Sequence, residues 1–252
     1  MSKSPFPISA FSDHFPSWEY PNHRGIGCNA VNPADTTNFL SFLQELRKHP
    51  VGSKLTLSAA TAISPFIGPD GNSFSDVSAF SQVLDYVAIM NYDIWGSWSP
   101  NVGPNAPLND SCVPEYQGGS AVSAVRAWNQ AGIPLNQLVL GVPAYGHAYR
   151  VSPSNAFEDP THERLALYPT VDTKNQPAGD SWDDPTGEVD VCGNTTTAGG
   201  TWNFWGLIQA GYLTPNGSVA QGISSRFDEC SQTVSGLEDS FSRLDIVLIG
   251  CG

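Results

Sequence analysis

The sequence predicts an α/β fold built on parallel strands, and three observations carry the prediction. Between Lys54 and Tyr145 the patterning alternates strand, helix, strand, helix, strand, as parallel βαβ units do. The middle strand, Tyr86–Met90, is a short β-prone apolar run after Asp85, bounded by turn-rich sequence. Its end changes character at once. Asn91, Tyr92 and Asp93 bring an amide, a phenol and a carboxylate, and Ile94-Trp95-Gly96-Ser97-Trp98 adds two indoles on a turn. Ligands of α/β folds sit at the C-terminal ends of parallel strands, so this tip reads as the mouth of a site. A core strand with a surface aromatic cluster is the plainer alternative.

Taken in order, residues 1–17 are rich in proline and serine and have no period, so they read as irregular. Trp18-Glu19-Tyr20-Pro21 sets a carboxylate between two aromatics. A glycine-containing loop runs on to Asn32. Asn32-Pro33 reads as a helix start, the amide capping and the proline in the first turn. Phe39, Leu40, Leu43 and Leu46 then recur at helical spacing as far as His49-Pro50. Lys54–Ala62 reads as a strand, and Phe80–Leu84 as the end of a short helix. A long loop covers Asn101–Gly119. A helix follows from a Ser120 cap through Ala121, Val122, Val125 and Trp128 to Gly132, which suits a C-terminal stop. Gln137–Val142 is the next strand, ending in Pro143-Ala144-Tyr145-Gly146. Residues 151–228 are rich in Pro, Gly, Asp and Thr with short aromatic patches such as Trp202-Asn203-Phe204-Trp205, and read as an inserted α+β lobe. From Thr233 the chain is poorly patterned, although Leu244–Ile249 has the composition of a strand.

Composition narrows the function. The 252 residues suffice for one large domain or two small ones, and 40% hydrophobic residues can bury a core. Against 24 acidic residues stand 11 basic ones, a net charge of −13, which excludes the basic footprint of a nucleic-acid or anionic-membrane binder. The 11% aromatic content, with seven tryptophans, and the sparse charge suit an uncharged ligand such as a carbohydrate. Cys28, Cys112, Cys192, Cys230 and Cys251 show no zinc-ligand spacing, so no metal is expected. Sequons begin at Asn109, Asn194 and Asn216. With the spaced cysteines they favour an oxidising, secretory origin. The expected bridges are Cys192–Cys230 and Cys28–Cys112. Met1–Ser17 lacks the charged and apolar regions of a signal peptide, and no run of 18 apolar residues is present. A chain with a secreted composition and no leader is expected to be exported otherwise or to be incomplete.

The ordered motifs resemble those of the glycoside hydrolase family 18 chitinases, the fungal secreted type in particular. They are Trp18-Glu19-Tyr20-Pro21, Ser58-Ala59-Ala60-Thr61-Ala62, Met90-Asn91-Tyr92-Asp93 with Trp95 and Trp98, and Gly141-Val142-Pro143-Ala144-Tyr145-Gly146. Gly200–Phe204 and Phe227–Gln232 match the family's insertion, so the resemblance covers residues 18–232. It implies a TIM-barrel fold, no cofactor, chitin or N-acetylglucosamine oligosaccharides as partners, a secreted location and a monomer. It also implies retaining hydrolysis in which the substrate's own acetamide is the nucleophile, an exception to the two-carboxylate scheme. On that reading Glu19 is the general acid. Tyr92 hydrogen-bonds the acetamido carbonyl, Asp93 holds the distorted sugar, and Met90 lines the floor. Trp98 stacks on an acceptor-side sugar and Tyr145 lines the cleft. The plainer readings are a loop carboxylate for Glu19, a core residue for Met90 and packing roles for the tryptophans.

The sequence also departs from the family pattern. The acidic motif D-x-x-D-x-D-x-E, counted back from Glu19, meets Ser17, Phe15 and Ser12, and the nearby Asp13 is out of register. A serine at 17 can hydrogen-bond but cannot offset developing positive charge as a carboxylate does. The matched strands correspond to about the fourth to the seventh of the barrel. The expected division is therefore a non-matching segment 1–17, a partial barrel 18–150, an α+β lobe 151–232 and a non-matching tail 233–252. This pattern predicts a truncated or mis-spliced chitinase with a marginally stable open sheet. An inactive, lectin-like chitin binder and a non-functional fragment are the alternatives to an active enzyme.

Overall fold

A computed structural model describes residues 18–25, 27–240 and 243–249. The alternation expected between Lys54 and Tyr145 is present as a parallel sheet of three strands. These are β1 (Ser58–Thr61), β2 (Tyr86–Met90) and β3 (Leu138–Gly141), in the order β1-β2-β3. Ala59 pairs with Val87, and Val87 in turn with Leu138. Each crossover carries helical structure. α1 (Asp35–Lys48) precedes β1, and α2 (Ala121–Gln130) joins β2 to β3. Period-two patterning decides what β2 buries: Val87 and Ile89 are enclosed by the helical layer, while Tyr86, Ala88 and Met90 on the opposite face are half-buried.

The helices follow their apolar stripes. Leu43 is buried on α1, with Phe39, Leu40 and Leu46 packed around it. Trp128 on α2 is fully buried against Phe66 and donates its indole N–H to the Ala62 carbonyl at 3.0 Å. Ser120 caps α2 as expected, in a reciprocal capping box with Ser123. α1 starts later than expected. Asn32 turns its amide oxygen onto Ala34 N–H, and the Asp35 carboxylate accepts from Asn32 N–H, so the helix proper begins at Asp35 and Ala34 is its cap. The first strand is also shorter than Lys54–Ala62, because Gly52–Lys54 coils into a 3₁₀ turn. Phe80–Leu84 is not a helix end; the 3₁₀ turn runs over Ser78–Gln82. At the sheet's lower end Arg47 donates to the Val83 and Leu55 carbonyls and to Asp85, whose carboxylate also accepts from Leu57 N–H. One guanidinium thus ties α1 to the entries of β1 and β2.

After Pro143 the chain leaves the parallel sheet. Tyr145 does not end a strand, as the sequence suggested, but opens one. β4 (Tyr145–Val151), β5 (Thr201–Asn203), β6 (Ser224–Asp228), β7 (Thr233–Ser240) and β8 (Arg243–Ile249) form an antiparallel sheet in the order β5-β4-β8-β7-β6. The strand composition of Leu244–Ile249 corresponds to β8. The unpatterned stretch from Thr233 is β7, a strand held by ladders on both sides that its own residues did not announce. A short helix, α3 (Phe204–Gln209), follows β5, and Leu207 is buried beneath it with Ala148 and Leu213. Tyr149, Val151, Ala156, Leu165 and Leu237 form a second core with Val102 from the long loop after β2.

Both expected disulfide pairings are corrected. The bridges are Cys28–Cys192, with Cα atoms 5.6 Å apart, and Cys112–Cys230, at 6.1 Å. Tertiary proximity decides this. The Leu108 N–H donates to the Ser231 carbonyl at 2.9 Å, which brings the loop of Cys112 beside that of Cys230. Cys251, Ser17, Phe15 and Ser12 lie outside the described residues.

Candidate active site

The site grows from the C-terminal end of β2. The chain turns at Asp93, which takes the left-handed backbone conformation at φ +56°. Asn105, fully buried, makes that turn possible. Its side-chain oxygen accepts from Asp93 N–H at 2.8 Å, its backbone carbonyl accepts from Ile94 N–H at 3.1 Å, and its amide donates to the Tyr145 carbonyl at 3.0 Å. A single amide therefore fixes the end of β2 against the start of β4.

Alternation along β4 puts Tyr145 and His147 on one face. Both address Asp93. His147 Nε2 lies 2.8 Å from Asp93 Oδ1, and the Tyr145 hydroxyl hydrogen-bonds the same carboxylate. Burial pushes the Asp93 carboxyl up, but the bonds from His147 and Tyr145 and the His147 charge outweigh it and hold it below the usual carboxylate value. The same surroundings push the Tyr145 phenol far up, through burial and then the Asp93 charge. His147 is 4% exposed, and its Nδ1 finds no partner among the described residues.

Aromatic rings enclose this carboxylate. The Tyr92 and Tyr145 rings meet edge-on at 6.2 Å, and the Trp98 ring stands against His147 at 5.7 Å while remaining 62% exposed. Glycine makes the close approaches possible. A Cβ on Gly141 would come within 2.9 Å of the Tyr92 ring, and one on Gly96 within 2.3 Å of Trp98. Met90, the last residue of β2, is half-buried and pairs with Gly141. Gln176 donates to the Ser97 carbonyl at 3.1 Å, so the antiparallel lobe holds the Trp98 turn.

Glu19 arrives from the other side, on the Trp18–Pro21 segment. It is exposed, and the Glu19–Tyr20 peptide is cis. Glu19, Tyr92 and Asp93 all act electrostatically on Tyr20. Burial first, and then those charges, push its phenol up to about 12. Tyr92 is pushed up in the same way, by burial, then Asp93, then Glu19. The structure thus brings Glu19, Tyr92, Asp93 and Tyr145 to one place, with Met90 and Trp98 at its edge. Sequence reasoning missed three contributors. His147 was findable as the same-face neighbour two residues after Tyr145. Tyr20 stood beside the named Glu19. Asn105 gave no local signal, because its role depends on contacts with three separate segments.

The arrangement is a cluster of aromatic rings around one hydrogen-bonded carboxylate, Asp93, with the exposed carboxylate of Glu19 within electrostatic reach. Among the described residues no His/Cys/Asp/Glu group is arranged to hold a metal ion, and no helix is long and apolar enough to cross a membrane. The family model for glycosyl hydrolases family 18 matches residues 17–217. The chain belongs to that family. The family's fold is the TIM barrel, and the chain's relatives include chitinases, such as a class V chitinase of Arabidopsis thaliana, 35% identical over 150 residues and covering 55% of this chain and 35% of the relative. The chain is 51% identical over 218 residues to a chitinase-like effector of Moniliophthora roreri, covering 86% of this chain and 52% of the relative. It is 54% identical over 217 residues to a chitinase-like effector of Moniliophthora perniciosa, covering 86% and 49%. The chain therefore spans about half the length of these curated relatives. Among solved structures it resembles a chitinase from Rhizomucor miehei, with TM-score 0.76, 31% identity, and coverage of 91% of this chain and 60% of that one. A group IV chitinase of Ostrinia furnacalis, solved with allosamidin, shares the fold at TM-score 0.61 and 22% identity, covering 91% and 52%.

Proposed function

We propose that this chain binds N-acetylglucosamine oligomers in a chitinase-type cleft and hydrolyses them slowly, with Glu19 as the general acid. The observation that carries the proposal is the convergence of Tyr92, Tyr145 and the ionised Asp93 on one point beside Glu19. Glu19 protonates the glycosidic oxygen, and the substrate's acetamido oxygen closes on the anomeric carbon. Tyr92 hydrogen-bonds that acetamide, and Asp93 holds the distorted sugar, its charge kept by His147 and Tyr145. Met90 forms the floor, Trp98 stacks on the acceptor-side sugar, and Tyr145 bounds the cleft. No step calls for a metal or organic cofactor. The three parallel strands support reading the chain as about strands four to seven of the barrel, with 151–232 as the inserted lobe. The two disulfides support a secreted chain.

Slow turnover follows from position 17. Without a carboxylate there, nothing at that place offsets the charge of the forming oxazolinium, and loss of one positioned catalytic group lowers rates by about 10²–10³-fold. A binding protein without turnover is the second reading, favoured by the same serine. Product release from an N-acetylglucosamine hexamer, measured beside calorimetric binding, separates the two. Slow release abolished by Glu19→Gln supports the acid. Tight binding with no release above that of the Glu19→Gln variant selects the lectin-like reading. Absence of binding overturns both.

A further inference from the structure

We infer that the Cys28–Cys192 bridge is a positioning element for the general acid, holding the segment that carries Glu19 against the lobe whose strands shape the Asp93 site. This deepens the proposed function and rests on it. The bridge joins residues 164 positions apart, with Cα atoms 5.6 Å from each other. One end lies on the segment that follows Glu19, and the other lies in the inserted lobe.

After Glu19 the chain curls back on itself. The His23 N–H donates to the Tyr20 carbonyl at 3.0 Å, and the Gly25 N–H donates to His23 Nδ1 at 2.9 Å. Gly25 takes the left-handed conformation at φ +59°, and a Cβ there would stand 2.0 Å from the Glu19 carbonyl oxygen. Glycine thus lets the chain press against the peptide of the acid itself. The Asn29 side chain donates to the Arg24 carbonyl at 3.0 Å and closes the curl on the far side of Cys28. A displacement of Cys28 is carried to Glu19 through this packing.

The anchor at the other end is ordered and leads to the site. The Asp190 carboxylate accepts from Cys192 N–H and from Asn194 N–H, each at 2.8 Å, and Val189 bridges to Thr195 across the turn. Asp183, earlier in the same lobe, accepts from Gly200 N–H at 3.0 Å and from Thr201 N–H at 3.2 Å. Thr201 opens β5 and pairs with His147 on β4, the strand whose Tyr145 and His147 hold Asp93. The acid segment's ties from Trp18 to Phe39 and from Asn22 to Asp35 and the Gly68 carbonyl run instead to α1 and the loop after β1. Those ties set the segment on the parallel sheet, and the bridge is the covalent tie that sets it against the antiparallel lobe. A general acid must stand within hydrogen-bond reach of the leaving oxygen, and a displacement of about 1 Å costs about 10²-fold in rate. The bridge therefore bears on turnover, while sugar affinity rests on Asp93 and the rings around it.

The test compares the parent chain, Cys28→Ser with Cys192→Ser, and Gly25→Ala, below the lowest melting temperature of the three, since loss of a bridge lowers stability. Gly25→Ala keeps the bridge and sets a methyl against the Glu19 carbonyl, so it probes the same link where the serine pair does not fold. Product release from saturating N-acetylglucosamine hexamer is expected to fall about tenfold in each, with hexamer affinity by calorimetry within about twofold of the parent. Trypsin cleavage after the exposed Arg24, followed by mass spectrometry, is expected to quicken about tenfold in the serine pair. All three substitutions together are expected to slow release little more than either set alone, because both act through one curl. Release within about twofold of the parent in the serine pair, or in Gly25→Ala where that pair does not fold, overturns this inference alone. So does an affinity that falls in step with release, the mark of a general loss of structure. A parent that releases no product, with or without Ser17→Asp, overturns the acid reading and this inference with it.

Discussion

The two sides of the cleft are built differently. Asp93 is set by β2, β4 and the Asn105 loop together, through bonds from His147, Tyr145 and Asn105. Glu19 comes on a loop segment held by an edge-on contact of Trp18 with Phe39, by a turn from His23 N–H to the Tyr20 carbonyl and by Asn22, whose side chain donates to the Gly68 carbonyl at 2.6 Å. One side is fixed by two sheets, and the other is a loop tied to α1 and to the loop after β1. Binding chemistry placed on rigid elements holds its geometry, whereas a catalytic acid on a loop depends on its neighbours for position and charge. Here one of those neighbours in sequence is Ser17, where the family motif has an aspartate. On the proposed reading, sugar recognition and bond cleavage rest on separate parts of this molecule and can be altered separately.

Ser17→Asp is expected to sharpen that contrast most, raising product release from the hexamer by about 10²-fold while oligomer affinity stays within a few-fold. A variant with unchanged turnover removes the missing carboxylate as the main defect. Asp93→Ala strikes the other side. It removes a charged partner and orphans His147, so hexamer affinity should fall about 10–100-fold by calorimetry, against a near-neutral effect of Glu19→Gln. Equal losses in the two variants would break the division into a binding side and an acid side. Tyr145→Phe deletes one hydrogen bond to Asp93 and should weaken binding about 3–10-fold. The smallest effect concerns pH. The folded Asp93 carboxyl lies below its unfolded value of about 3.9, so its contribution to stability is complete above that value and is lost as pH falls through the folded value. The difference in denaturation midpoint between the parent and Asp93→Asn should be constant from neutral pH to about pH 5 and shrink below about pH 4. A difference that shrinks on raising the pH above neutral instead would overturn the assignment of this dependence to the Asp93 carboxyl.

Much of the parallel sheet was legible because its signals are local. The Tyr86–Met90 run, the Ser120 cap and the stripe of Phe39, Leu40, Leu43 and Leu46 each report their own surroundings. The start of α1 was less legible, since Asn32 and Asp35 compete for the same backbone groups and only the folded turn decides between them. The antiparallel lobe was the hardest to read. β7 lies where Thr233–Ser240 offers little alternation, because its ladders to β6 and β8 supply the order that its composition lacks. The cysteine pairing failed for a related reason: spacing does not report which loops meet.

Of the site, residue chemistry marked the polar and aromatic tip with Tyr92, Asp93 and Trp98, and only the resemblance to the chitinases added Glu19, Met90 and Tyr145. Tertiary structure decided that His147 and Tyr145 hold the Asp93 carboxyl below its usual value, that Asn105 fastens β2 to β4, and that Asn203 pairs with Tyr145. The physical reason is range. Propensity, capping and periodicity act over a few neighbouring residues, whereas a carboxylate's charge state and a ring's neighbours depend on groups dozens of positions away. His147 is 54 residues from Asp93, and Asn105 is 40 from Tyr145. Only the folded chain brings those separations within hydrogen-bond reach.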